Sequence, residues 1–233
     1  MGLVRRSCLG ALLVPVVAAL VALALLTLAV DRSATWVVGR AVESSLKDEG
    51  ARAPHVHLRG FPFLTQLVHR DFSHVEVTAR AIRRDGLVGN DVVVEMWGVR
   101  PDGSRAADVD RVQGHLTVPY SEVEQRTGQP AGSLSTDGSR VRLTRTLTAL
   151  GRRVTVSGEG TVRVSGSRLV VTPTAVTVDG AAAGAALLSS VRRQLATTYA
   201  IEGLPAGLRV SAVSPVAGGL LVDFTGRDAR LER

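Results

Sequence analysis

Residues 139–178 read SRVRLTRTLTALGRRVTVSGEGTVRVSGSRLVVTPTAVTV, and this stretch decides the fold class. Three runs rich in Val, Leu and Thr, Ser139 to Thr148, Arg153 to Val164 and Arg168 to Val178, are separated by glycine-containing turns such as Ser157-Gly158-Glu159-Gly160 and Ser165-Gly166-Ser167. Successive side chains of a strand point to opposite faces, and short turns join neighbouring strands antiparallel. The stretch therefore reads as a meander, and Gly158-Glu159-Gly160 reads as a hairpin turn.

Upstream, Val75, Val77, Ala79 and Ala81 alternate with His74, Glu76, Thr78 and Arg80, again with a period of two. Pro54 to Leu58, Asp91 to Val99 (DVVVEMWGV) and Asp108 to Val118 add three further strands. Pro119 opens a short helical stretch, PYSEVEQRTG, with proline at its start and glycine at its end. A first amphipathic helix is expected from Trp36 to Lys47, with Val37, Val38, Ala41, Val42, Ser45 and Leu46 on one side and Gly50 as its stop.

Downstream, a longer amphipathic helix is expected from about Ala181 to Tyr199. Leu187, Leu188, Val191, Leu195 and Thr198 form one face, and Arg192, Arg193 and Gln194 the other. Gly203 and Pro205 stop it, and two last strands follow, Gly207 to Val213 and Leu220 to Phe224. No internal repeat or second domain boundary interrupts the series.

Composition narrows the function classes. The chain has 233 residues with 45% hydrophobic and 21% charged residues, but aromatics make up only 3%. The core must then be built from Val, Leu and Ala, and too few rings remain for a base-stacking platform, so nucleic acid is not expected as a partner. With Arg5 and Arg6 set aside, 26 basic residues face 21 acidic ones, a surplus that suits an anionic lipid surface. Cys8 is the only cysteine, so no intramolecular disulfide can form and packing alone must hold the fold.

Leu9 to Val30, LGALLVPVVAALVALALLTLAV, contains no charge and is flanked by Arg5 and Arg6 before it and Asp31 and Arg32 after it. At helical rise it would extend roughly 33 Å, enough to cross a bilayer. The leading arginines favour an N-terminus held inside. Residues 1–34 thus read as a single-pass anchor, with Thr27-Leu28-Ala29 as a weak exit for signal cleavage and secretion as the alternative. Residues 35–233 form one extracytoplasmic domain.

Motifs for chemistry are sparse. His55 and His57 share a strand face, yet no carboxylate or cysteine cluster completes a metal site, and no metal or cofactor is expected. G-x-S-x-G, H-E-x-x-H and phosphate-binding glycine loops are absent, so the protein is not expected to be an enzyme. What stands out is Gly60-Phe61-Pro62-Phe63-Leu64-Thr65-Gln66-Leu67, which holds half of the phenylalanines beside a proline turn. It could be a core plug or the wall of an apolar cavity, since a hydrophobic cluster alone does not say which.

That segment, followed by Asp71-Phe72-Ser73-His74-Val75-Glu76-Val77, resembles the opening of the LmeA-like family of envelope phospholipid-binding proteins from high-GC Gram-positive bacteria. Val118-Pro119-Tyr120-Ser121-Glu122-Val123 is similar to the family's mid-chain helix start. Leu204-Pro205-Ala206-Gly207-Leu208-Arg209-Val210 with Gly219-Leu220-Leu221-Val222 is similar to its C-terminal hairpin. The likeness spans most of residues 36–228, with Ala206 and the arginine-rich surface as departures.

The resemblance implies an α+β fold, mainly antiparallel β, in which a long curved sheet wraps an amphipathic helix as in tubular lipid-binding domains. It also implies binding of anionic phospholipid, phosphatidylinositol among the candidates, in support of lipoglycan assembly beside an envelope glycosyltransferase. On that basis Phe61, Phe63, Leu64, Leu67, Met96, Trp97, Leu187, Val191 and Leu195 are expected to line an acyl-chain groove, with Arg192 and Arg193 meeting the headgroup. The competing reading is a membrane-tethered adaptor that carries no lipid.

Overall fold

A computed structural model describes residues 31, 33–84, 87–102, 106–149, 152–184, 198–200, 204 and 206–232. The fold is mostly antiparallel β-sheet with three described helices, and neither of its two sheets closes on itself. Among the described residues no helix is long and apolar enough to cross a membrane, and the apolar segment Leu9 to Val30 lies outside them.

The chain enters through helix α1, residues 33–48, then the short strands β1 (Ala51–Arg52) and β2 (His55–Arg59), and helix α2 (Phe63–His69). Three long strands follow, β3 (Phe72–Arg84), β4 (Leu87–Asp102) and β5 (Ala106–Pro119), and then helix α3 (Tyr120–Thr127). The second series is β6 (Leu134–Thr136), β7 (Val141–Ala149), β8 (Arg152–Ser165), β9 (Arg168–Val178), β10 (Ala181–Ala182) and β11 (Thr198–Ala200). The chain closes with β12 (Leu208–Val216) and β13 (Gly219–Glu232).

Sheet A has the order β1-β3-β4-β5-β13-β12, with β2 paired to β3 beyond β1, so the C-terminal hairpin returns to lie against β5. Sheet B is the meander β9-β8-β7-β6, with β10 and β11 both along the free edge of β9. The expected single curved sheet is thus two. Pro119 lacks a backbone N–H and sits in an extended conformation, so the ladder ends there and α3 begins. Gly128 closes α3 in the left-handed conformation at φ 65°, which a glycine adopts without a Cβ clash.

Alternation sorts sheet A into an apolar and a polar face. Val75, Val99, Val109, Val112 and Ala229 form a buried cluster, flanked by Leu58, Val77, Val94, Met96 and Phe224. A second cluster, Ala51, Ala79 and Val92, receives Leu46 from α1. Burying valines such as Val109 and Val112, each 1% exposed, contributes about 1.5 to 3 kcal/mol per side chain. α1 is also pinned to β2 by the Val56 amide, which donates to Glu43 Oε1 at 3.1 Å. Its apolar stripe is only partly used: Val38, Ser45 and Leu46 are half-buried, whereas Val37 and Val42 are exposed.

Two further expectations change. Gly158-Glu159-Gly160 lies inside the continuous strand β8 and marks an irregular register against β9, not a turn. The ends of the expected helix from Ala181 to Tyr199 are strands β10 and β11, because the edge of β9 offers unpaired backbone groups at both ends. The stretch between them, with Leu187, Val191, Arg192, Arg193 and Leu195, lies outside the described residues.

Candidate functional site

Four of the expected groove residues are gathered at α2, a helix that was not legible from the proline turn. Pro62 occupies its N-cap position after a cis Phe61–Pro62 bond, and Arg70 ends it in the left-handed region at φ 53°. Phe63 is 2% exposed and packs against Phe72, with ring centroids 6.0 Å apart. The opposite side is bare: Phe61 is 68% exposed and Val68 79%, with Leu64 and Leu67 at their flank. Phe63 is therefore the core plug, and its three partners face outward.

Two contacts fix this platform. The Leu64 amide, one of the orphan donors of the first helical turn, donates to Asp31 Oδ1 at 2.8 Å. Asp31 is itself buried and stands immediately after the apolar segment that ends at Val30. On the other side Gln66 Oε1 accepts from the backbone and hydroxyl of Ser73 at 2.9 and 3.1 Å, tying α2 to the start of β3. Trp36 and Val37, at 63% and 58% exposure, add to the apolar surface carried by α1.

Met96 and Trp97, both expected on one groove wall, leave β4 on opposite faces. Met96 packs on the buried valine cluster. Trp97 stands on the polar face, stacked on His74 at 4.9 Å and 7° and covered by the Arg111 guanidinium at 4.0 Å. Neighbours in a strand cannot share a face, so one groove cannot hold both. On that polar face Arg100 pairs with Asp110, and the hydrogen bond holds the Asp110 carboxyl below its ordinary range.

The apolar surface that sequence reasoning missed belongs to sheet B. Val154, Val156, Gly158, Val162 and Val164 alternate along one face of β8, with Leu143 opposite Gly158 on β7 and Val171 opposite Val162 on β9. These valines and leucines are half-buried, and neither buried apolar cluster includes any of them. A Cβ at Gly158 would meet no atom of the described residues within 4 Å. Among the described elements, this sheet meets β12 through β8 and α3 through β6. The period-two pattern was the available signal, obscured by reading Gly158 as a turn.

Such a surface can accept hydrocarbon. It offers no nucleophile–base pair, and no cluster of three or more metal-ligating side chains occurs among the described residues. No curated protein and no solved structure is similar enough to count as a match. The sequence model of the LmeA-like phospholipid-binding family, however, matches residues 29–225, which takes in α1, the α2 platform and both sheets up to the middle of β13, and this chain belongs to that family.

Proposed function

We propose that the protein binds phospholipid outside the cytoplasmic membrane and holds acyl chains against the apolar face of sheet B. The observation that carries this reading is the row Val154, Val156, Gly158, Val162 and Val164, apolar and half-buried, with open space above Gly158. Each methylene taken from water onto such a surface contributes about 0.8 kcal/mol, so the hold on a lipid grows with the length of chain that the face covers. Leu187, Val191 and Leu195 are further acyl-chain contacts in this proposal, with Arg192 and Arg193 meeting the headgroup.

The α2 platform supports the membrane location. Leu9 to Val30 is uncharged and long enough to span a bilayer, and Asp31, one residue later, caps α2. Phe61, Leu64, Leu67 and Val68 would then sit at the interfacial level, where exposed apolar side chains are stabilised. An anchored protein of this kind would hand phospholipid, phosphatidylinositol among the candidates, to lipoglycan assembly and work beside a glycosyltransferase as a binding protein, not as an enzyme.

The test is solvent extraction and mass spectrometry of the purified full chain. Phospholipid should be recovered above a matched control, and Gly158→Phe, which fills the open space, should lower the recovery several-fold with an unchanged melting temperature. Absence of lipid from the unmodified chain, together with no binding to anionic vesicles, would leave the adaptor reading standing instead.

A further inference from the structure

Three arginines on the polar face of sheet A lack the acidic partners that their neighbours have. Arg111 on β5 stands directly opposite Arg227 on β13, and Arg209 on β12 is opposite Thr225, two positions from Arg227 on the same side. Together with Gln113 and Thr225 they line a cleft of about 650 Å³. All three are exposed, and among the described residues none has a carboxylate oxygen within 4.0 Å.

The contrast with adjacent arginines is direct. Arg100 pairs with Asp110, and Arg230 pairs with Asp102 and Asp108 at 2.7 and 3.2 Å. Of the acids near the cleft, Glu95 accepts from Gln113 at 3.3 Å and lies 4.0 Å from His74, and Asp223 stands two positions from Thr225, opposite His115. Like charges placed directly across an antiparallel pair are unfavourable. A register that sets Arg111 against Arg227 therefore carries a cost that an anion between them would offset.

One of the three is also held in orientation. The Arg111 guanidinium lies 4.0 Å from the Trp97 ring centroid, and Trp97 is backed in turn by His74. A guanidinium oriented by stacking loses less freedom when it forms paired hydrogen bonds to phosphate oxygens.

We infer that the cleft bounded by Arg111, Arg209 and Arg227 is a binding site for a phosphate ester. It lies on the face of sheet A opposite Met96 and the buried valines, shares no lining residue with the acyl-chain surface of sheet B, and does not rest on that reading. The phosphate can come from a lipid headgroup at the bilayer or from a soluble phosphate ester, and the experiment separates the two.

Trp97 reports on the site through its contact with Arg111. In the full chain carrying Trp36→Phe and purified in a neutral detergent, Trp97 emission is followed during titration with glycerol 3-phosphate. After reconstitution, vesicles with and without phosphatidylglycerol are compared. A saturable response to the soluble ester assigns a free phosphate ester, and a response only to phosphatidylglycerol assigns a headgroup. Arg227→Gln and Arg209→Gln should each weaken the response about tenfold or more, whereas Arg140→Gln on sheet B should leave it unchanged. Arg227→Gln should also raise the melting temperature of the ligand-free protein by relieving the repulsion, and its recovered acyl lipid should equal that of the unmodified chain. The inference is overturned by any of three results: no response in either arm, a response reproduced by chloride at equal ionic strength, or a lower melting temperature for Arg227→Gln.

Discussion

Sheets A and B are built from the same alternation of Val and Leu with polar residues, yet they end in different physical states. Sheet A buries its apolar face, with Val109 and Val112 at 1% exposure and Leu46 of α1 packed on the Ala51, Ala79 and Val92 cluster. Sheet B, with Val154, Val156 and Val162 in equivalent alternation, contributes, among the described residues, only Val176 to the buried hydrophobic ones. A strand pattern specifies which face is apolar. What covers that face is decided by the rest of the chain, and a face left open is where a ligand can add the missing layer.

The largest expected effect breaks the link between the two sheets. Glu124 on α3 is 3% exposed and accepts from the Gly132 and Leu134 amides at 2.9 and 2.7 Å, which fastens α3 to the first strand of sheet B. Glu124→Ala would remove the carboxylate acceptor of two part-buried amides, at a cost of about 2 to 5 kcal/mol. Hydrogen exchange should then speed up in β6 and β7 while β4 and β5 keep their protection; equal loss in both sheets would show that they unfold as one unit.

A pair of glycines sharpens the comparison at intermediate size. In sheet A a Cβ at Gly114 would collide with the Val93 carbonyl and come within 2.7 Å of the Phe224 ring, so Gly114→Ala should cost about 1 to 3 kcal/mol. In sheet B Gly158→Ala enters open space and should change stability by less than about 1 kcal/mol. Chemical denaturation of both variants checks the difference. Equal destabilisation would mean that sheet B is as tightly packed as sheet A.

The smallest effect is a pH dependence confined to the rim of sheet B. Asp137 accepts from the Ser139 and Arg140 amides at 3.0 and 2.9 Å in the turn between β6 and β7, and these bonds hold its carboxyl below the ordinary value. A lowered folded value means that the contribution is present above the unfolded aspartate range near about 4 and is lost as pH falls through the folded value. Amide exchange at Ser139 and Arg140 should therefore rise only in acid, and Asp137→Asn should remove that dependence.

Much of the strand order was legible before any coordinates. The runs Arg153 to Val164 and Arg168 to Val178 match β8 and β9 within about one residue, and Pro119 and Gly128 bound α3 as their chemistry requires. The reach of β13 to Glu232 was not legible, because TGRDARLE is polar and its partner, β5, lies more than a hundred residues earlier. α2 was missed because proline suggested a turn, although Phe63, Leu64, Leu67 and Val68 recur at helical spacing. Of the expected site, Phe61, Leu64 and Leu67 come together on one exposed helix side, while Met96 and Trp97 part across a strand. The arginine cleft joins β5, β12 and β13, and only tertiary pairing creates it.

The hydrogen bond from Leu64 to Asp31 bears on proteolytic maturation. Cutting after Ala29 would create a new α-amino group on Val30, the covalent neighbour of Asp31. That ammonium, which ordinarily loses its proton near about pH 8, would compete with the Leu64 amide for the same carboxylate. Processed and intact chains would then differ in how firmly the Phe61 platform is seated.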